Sequence, residues 1–175
     1  MHPQLKRIVI IGPESTGKST LTQALAQHFD ACQVREFARE YLEQLGRPYN
    51  EADLLQIAQG QIALEDAIAK DCEKPLLFCD TDLYVIKVWS ENKYGRCAPE
   101  ILQQIAIRHY DFYLLTNIDM PWQDDPLREH PDAAMRAYFF RIYSDIVQQS
   151  GVPFAMVSGN EEERLQAAVV ALQGL

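Results

Sequence analysis

The chain has no apolar run near the ~18 residues that a membrane-spanning helix needs, and no signal-peptide cleavage region follows its opening MHPQLKRIVIIG. Basic residues are in the minority: 16 Lys and Arg against 25 Asp and Glu, a net charge of −9. A broad nucleic-acid surface needs a basic patch, so neither nucleic acid nor membrane is an expected partner. A phosphate ligand, held by a few local donors, remains open. Cysteine is sparse. Cys32, Cys72, Cys79 and Cys97 form no CxxC pair and have no histidine at zinc spacing. They read as free thiols, Cys32 and Cys79 within apolar runs, in a reducing, cytoplasmic setting. No internal repeat, low-complexity tract or linker interrupts the 175 residues, so residues 1–175 read as one domain. The oligomeric state is left open, a homo-oligomer included.

What is present is an alternation. Apolar runs at Lys6–Ile11, Ala31–Val34, Leu76–Cys79, Phe112–Leu115 and Phe154–Val157 predict five strands. Helical spacing links Leu21, Ala24, Leu25 and Phe29, then Leu54, Ala58 and Ile62 within 52–71. It recurs in 35–45, 82–93 and 99–108, through Met135, Tyr138, Phe139, Ile142 and Ile146, and through Leu165, Ala168, Val169 and Leu172. Continuous apolar strands alternating with amphipathic helices predict an α/β fold: a five-stranded parallel sheet with helices on both faces.

After the first strand stands Gly12-Pro13-Glu14-Ser15-Thr16-Gly17-Lys18-Ser19, with Thr20 following, a full match to GxxxxGK[ST]. Such a loop wraps phosphates with backbone amides, Lys18 reaches the β/γ-phosphates and the Ser19 hydroxyl binds magnesium. The helix opening near Lys18 adds the positive end of its dipole. A Gly-rich turn is the plain alternative, but strand before and helix after are the context the motif requires. The expected ligands are ATP and Mg2+.

In an open parallel sheet, ligands sit beyond the carboxyl ends of the strands. Asp80 ends the third strand, where a carboxylate can serve the magnesium shell or simply cap the next helix. Glu36 follows the second strand; it reads as a binder of substrate hydroxyls or a general base, or else as a solvated helix charge. Arg39 lies one turn on, where an ion pair with Glu36 is the competing reading. Thr116–Pro131 is polar and carries three prolines. An irregular segment of that length is uncommon in a small domain and serves as a lid in many enzymes. Arg128, inside it, is the candidate to close over a transferred phosphoryl group; the alternative is a surface pair with Asp124, Asp125 or Glu129. Arg136 and Arg141, on the next helix, read as surface charges. Trp89 and Trp122 could stack on a flat base, although Trp89 at helical spacing reads as core.

The nearest approach to a guanine-reading NKxD is Thr116-Asn117-Ile118-Asp119, which lacks the lysine, and no extended hhhhDE strand marks a motor-type ATPase. GPESTGKSTL, REFAREYL, Gly60-Gln61, LLFCDTDLYVIKVWSENKYGRC, YDFYLLTNIDMPWQDDPLRE and VSGNEEER, in that order, resemble the ribosylnicotinamide kinase domain of NadR-type proteins. The resemblance implies a P-loop kinase fold with a mobile lid and transfer of the γ-phosphoryl of ATP to the 5′-hydroxyl of nicotinamide riboside, a step of NAD salvage. It implies an acceptor site at Glu36, Arg39, Asp80, Asp82, Trp89 and Tyr94, and a lid arginine at Arg128. Two positions depart from the family pattern: Pro126 replaces a glycine and Arg35 a proline. None of His2, His28, His109 and His130 forms the HxGH of the adenylyltransferases joined to longer relatives, and the chain begins about one strand before the phosphate loop, so that second activity is not expected. The alternatives are a kinase for another nucleoside and a nucleotide-dependent regulatory ATPase that switches a partner.

Overall fold

The structure, a computed structural model, describes residues 5–175; the first four, His2 among them, lie outside it. Strand β1 (Lys6–Ile11) leads into helix α1 (Lys18–His28), then β2 (Cys32–Val34), α2 (Phe37–Leu45), α3 (Glu51–Asp71) and β3 (Leu76–Asp80). Helices α4 (Leu83–Tyr94) and α5 (Pro99–Ile107) precede β4 (Phe112–Thr116), α6 (Ala133–Gln149), β5 (Phe154–Val157) and α7 (Glu161–Ala171). All pairings are parallel, in the order β2-β3-β1-β4-β5. β1 is therefore central: the chain goes from it to β2 and back to β3 on one side, then crosses over it to β4 and β5 on the other. The crevice at such a switch of direction is where a parallel sheet holds its ligands.

Alternation within strands divides the core. Ile8 and Ile10 of β1, with Phe78 and Leu114, face α1 and α7 through Leu21, Leu25, Ala168 and Leu172. Val9 and Ile11, with Leu77, Cys79 and Leu115, face α6 through Phe139, Tyr143 and Val147. Both faces are buried, which explains why the strands read as unbroken apolar runs. A third cluster joins α2, α3, α4 and α5 through Ala38, Leu54, Ile57, Ile86 and Ile101. Among the described residues, no helix is long and apolar enough to cross a membrane.

Local chemistry sets the element ends. Asn50 and Asp53 form a capping box at the start of α3, and Asn160 and Glu163 form another at α7. Gly46 ends α2 in the left-handed conformation. The four-thiol reading needs correction: Cys32 and Cys72 are joined in a disulfide, their Cα atoms 6.1 Å apart, while Cys79 and Cys97 are free. Helix α3 packs along edge strand β2, so its C-cap returns to the strand's first residue. Forty positions of separation leave no local pattern to read, and the inference to a reducing compartment loses its basis.

Gly60, in the middle of α3, touches the ring of Phe37: a Cβ built there would lie 2.0 Å from the ring. The next residue, Gln61, accepts from Phe37 N (2.8 Å) and donates to Arg35 O (3.3 Å). The Gly60-Gln61 pair thus clamps the backbone on either side of Glu36. Helix propensity alone would make Gly60→Ala stabilising by about 1 kcal/mol, whereas overpacking costs about 1–3 kcal/mol. The clash should win, lowering the calorimetric Tm by about 2–8 °C. A higher Tm would show that the ring is free to move and that the clamp is not tight.

Candidate functional site

Residues 12–19 form the phosphate loop between β1 and α1, at the middle of the sheet. Gly12 is required by close approach: a Cβ there would meet Thr116 Oγ1 at 2.2 Å. The loop's carbonyls are held from outside. Lys18 Nζ donates to Pro13 O (2.7 Å), Arg136 Nη2 to Ser15 O (3.3 Å) and Arg164 Nη1 to Thr16 O (2.9 Å). The Thr16 hydroxyl also donates to Pro13 O (2.8 Å) and lies 2.7 Å from the Thr116 hydroxyl. With its carbonyls turned outward, the loop is free to offer its amides to a polyanion.

A pocket opens beside it. Gly12–Thr20 form one side; Glu36, Arg39, Val88, Trp89 and Asn92 form the opposite wall; Gln123, Arg128, Glu129 and Arg136 cover it. Asp80 lies beneath, 4% exposed, with Oδ1 lacking any partner. Its carboxyl is pushed above the usual range by burial, against the opposing pull of the Ser19 hydroxyl and of Lys18. Glu36 is raised too, first by burial and then by Asp80, with Lys18 and Arg39 opposing. Two neighbouring carboxyls that both resist ionisation are the raw material of proton transfer or cation binding.

Residues 117–132 between β4 and α6 are irregular and lie across the phosphate loop. Gln123 N donates to Ser15 Oγ (2.8 Å), and Arg128 Nη1 reaches the same oxygen at 3.3 Å and the Gln123 carbonyl. Arg39 pairs with Asp125 at 2.8 Å and with Glu43 at 3.6 Å, so the ion pair with Glu36, the competing reading of Arg39, does not form.

Several placements correct the sequence reading. Arg136 is no surface charge: it is 9% exposed, spans the carbonyls of Ser15 and Met120 (3.3 and 3.1 Å), and leaves Nε without a partner. Burial and then the nearby Arg128 pull its guanidinium below the ordinary range. Among the described residues neither Arg128 nor Arg136 pairs with a carboxylate. Trp122 holds the two apart, its ring 5.8 Å from each guanidinium carbon. Trp89 does both things the sequence offered: it packs against the third cluster, as the core reading had it, and it lines the pocket wall, donating to Tyr49 Oη (2.6 Å). Asp82 does not reach the pocket. It caps α4 by accepting from Tyr84 N (2.9 Å), accepts from Tyr113 Oη (2.7 Å) and is 1% exposed. Tyr94 also stays away, packed in the cluster of α2 to α5.

Sequence reasoning missed the roles of Arg136 and Arg164, yet a signal exists. Arg136 precedes Phe139, Tyr143 and Val147 at offsets of three, seven and eleven, and Arg164 precedes Ala168 and Leu172 at four and eight. A charged residue in register with an apolar stripe is buried and must have partners.

The AAA_28 family, described as an AAA domain, matches residues 7–164. The chain belongs to that family. This AAA_28 chain is 27% identical over 165 residues to the trifunctional NAD biosynthesis/regulator protein NadR of Escherichia coli (strain K12), a match that covers 91% of this chain and 39% of that protein. It thus spans about two fifths of the length of the curated relatives it matches. Among solved structures, a NadR protein in complex with NR superposes with a TM-score of 0.78 at 22% identity, over 97% of this chain and 51% of that one. Thymidylate kinase from Ehrlichia chaffeensis follows at 0.71 and 16%, over 98% and 100%. The AAA_28 chain therefore has the P-loop kinase fold that the sequence reading expected.

Asp82 yields a pH test. Burial pushes its carboxyl up to about 7 from 3.8, against the hydrogen bonds from Tyr113 and Tyr84. Between those values the folded state holds a proton that the unfolded state releases, so stability falls as pH rises, by up to roughly 1.4 kcal/mol per unit. Chemical denaturation should show Asp82→Asn gaining on the wild type steadily from about pH 4 to 7 and no further above it. A constant difference across that window would mean that Asp82 is ionised in the fold.

Proposed function

We propose that this chain is an ATP-dependent nucleoside kinase and that its acceptor is the 5′-hydroxyl of nicotinamide riboside. The observation that carries the first part is the pairing of a phosphate loop with two guanidiniums that have no carboxylate partner and two carboxyls, Glu36 and Asp80, whose pKa burial raises. Phosphoryl transfer asks for positioning and for positive charge around the transferred group, with a base for the attacking hydroxyl. Loop amides and Lys18 would hold the β- and γ-phosphates of ATP. Arg128 and Arg136 would meet the charge spread over the γ-oxygens in the transition state. Glu36, its pKa shifted toward neutrality, would accept the hydroxyl proton while Trp89 and Asn92 flank the nucleoside.

The Ser19 hydroxyl and the orphaned Oδ1 of Asp80 suit magnesium, a hard cation that takes few protein oxygens beside those of its phosphates. Bound there, it would neutralise charge that develops on the nucleotide's phosphates during transfer.

Two observations support the acceptor. The likeness to NadR runs through most of the chain. The wall facing the phosphate loop also carries Glu36, while Arg39, the cation of that wall, is engaged by Asp125. A phosphorylated acceptor would meet a carboxylate, whereas a pyridinium nucleoside brings the complementary positive charge. Residues 117–132 serve in this reading as the lid.

Incubating the protein with MgATP and a panel of nucleosides should give nicotinamide mononucleotide fastest. Faster phosphorylation of uridine, cytidine or thymidine would replace the acceptor, and ATP consumption with no phosphorylated product would favour a regulatory ATPase. Glu36→Gln should lower kcat by roughly two to four orders of magnitude with the ATP Kd retained.

The burial of Arg136 makes a separate forecast. A transition-state guanidinium is worth roughly three to five orders of magnitude in turnover, so Arg136→Ala and Arg128→Ala should each lower kcat by at least about a hundredfold. Arg136→Lys should not restore it: the guanidinium holds Ser15 O and Met120 O through Nη2 alone and keeps its other nitrogens for a ligand, whereas an ammonium has one nitrogen for both tasks. Near-normal kcat in Arg136→Ala would limit this side chain to holding the loop carbonyl.

A further inference from the structure

Glu14 is out of place in a loop built for phosphates. A carboxylate there repels the polyanion the loop is to hold, by about 1–4 kcal/mol per charge pair at 4 Å in wet surroundings. Something must offset that. The Glu14 carboxylate accepts from Glu129 N (3.0 Å) and His130 N (3.1 Å), two consecutive amides of the irregular segment over the pocket. Successive amides converging on one anion make a strong, charge-assisted contact. The residue just before them is Arg128.

Glu129 is held from its other side as well. Its carboxylate accepts from Tyr49 Oη (2.9 Å) and Lys93 Nζ (3.2 Å). Lys93 lies over the Tyr49 ring, 3.6 Å from its centroid. Position 129 is thus fastened through its backbone to the phosphate loop and through its side chain to the wall that carries Trp89.

We infer that Glu14 is a positioning residue: through the amides of Glu129 and His130 it fixes the backbone that mounts Arg128, and Glu129 ties that placement to the acceptor wall. The inference rests on the reading of Arg128 as a charge over the transferred phosphoryl. It explains why a carboxylate is retained where phosphate binds. Glu14 does not touch the reacting group; it acts through the arginine two contacts away.

Three readouts test it. Hydrogen exchange at the amides of Glu129 and His130, in the protein alone, should accelerate about ten- to a hundredfold in Glu14→Ala. Glu14→Gln, which keeps an acceptor oxygen, should accelerate it less. In turnover, Glu14→Ala should lower kcat by a similar factor with the KM for ATP unchanged or reduced, since a repelling charge is gone. Placed in an Arg128→Ala background, the same change should do nothing more to kcat, because its route of action is already absent. Glu129→Gln should raise the KM of the acceptor more than that of ATP. Unchanged exchange in Glu14→Ala would overturn the clasp, and an additive fall in the double variant would overturn its action through Arg128. Faster exchange with transfer to a nucleoside other than nicotinamide riboside would support the clasp and overturn only the acceptor reading, whereas no transfer to any nucleoside would overturn the kinase reading and leave only the clasp.

Discussion

A backbone loop can turn its amides toward a polyanion only if its carbonyls are satisfied on the other side, and much of this fold is arranged around that requirement. The carbonyls of Pro13, Ser15 and Thr16 receive donors from Lys18, Arg136 and Arg164. Those donors come from α1, α6 and α7, helices on opposite faces of the sheet. Arg164 is 1% exposed and also donates to the carbonyls of Gly159 and Asn117 and to Asp119, so the loop after β5, the loop after β4 and the phosphate loop share one buried guanidinium. Removing such a hub would leave several buried acceptors unpaired at once. The strand order matters for the same reason: with β1 central, helices on both faces of the sheet bring side chains to the loop that follows it.

That arrangement has an electrostatic consequence. Lys18, Arg128 and Arg136 line the pocket together with Glu14 and Glu36, and Asp80 lies buried beside Glu36. The cations bond neutral oxygens, and the carboxyls of Glu36 and Asp80 resist ionisation. Each set is held in a state that a ligand of opposite charge would relieve. Buried charges without partners cost several kcal/mol, which a site for a polyanion recovers on binding. Residues 117–132 join the two sets, through Arg128 and the segment's contacts with Glu14, Arg39, Tyr49 and Lys93.

Much of this was legible in the residues. The three inner strands could be read because strands buried on both faces are apolar throughout, the edge strands β2 and β5 from short apolar runs although part of each is exposed, and the phosphate loop because its spacing and setting agree. The same logic misleads at Arg136: counting only apolar positions on α6 yields a correct helix and leaves its charge on the wrong side. Residue 136 lies in register with Phe139, Tyr143 and Val147, and register, rather than residue type, decides burial. Glu65 and Gln61 of α3 repeat the point, following Leu54, Ile57 and Ala58 on the buried face. The Cys32–Cys72 bond was out of reach because it depends on how α3 lies against β2, a tertiary fact without a local trace.

The segment Asp80-Thr81-Asp82 shows how two carboxylates two positions apart take different work. Asp80 ends β3 in register with Ile10 of β1. Thr81 then adopts φ of +70°, which a β-branched residue accepts only under compulsion. Its amide donates to Ile10 O at 3.0 Å, so the sheet itself imposes the turn. Asp80 is left against Ser19 and the phosphate loop, while Asp82 is sent to the N-terminus of α4 and to Tyr113. Capping was the competing role for Asp80, and Asp82 fills it. Once the cap is supplied two residues later, Asp80 has no partner for Oδ1 within the fold, and its buried oxygen is available to a ligand. A strained threonine thus separates the carboxylate that builds the helix from the one that faces the site.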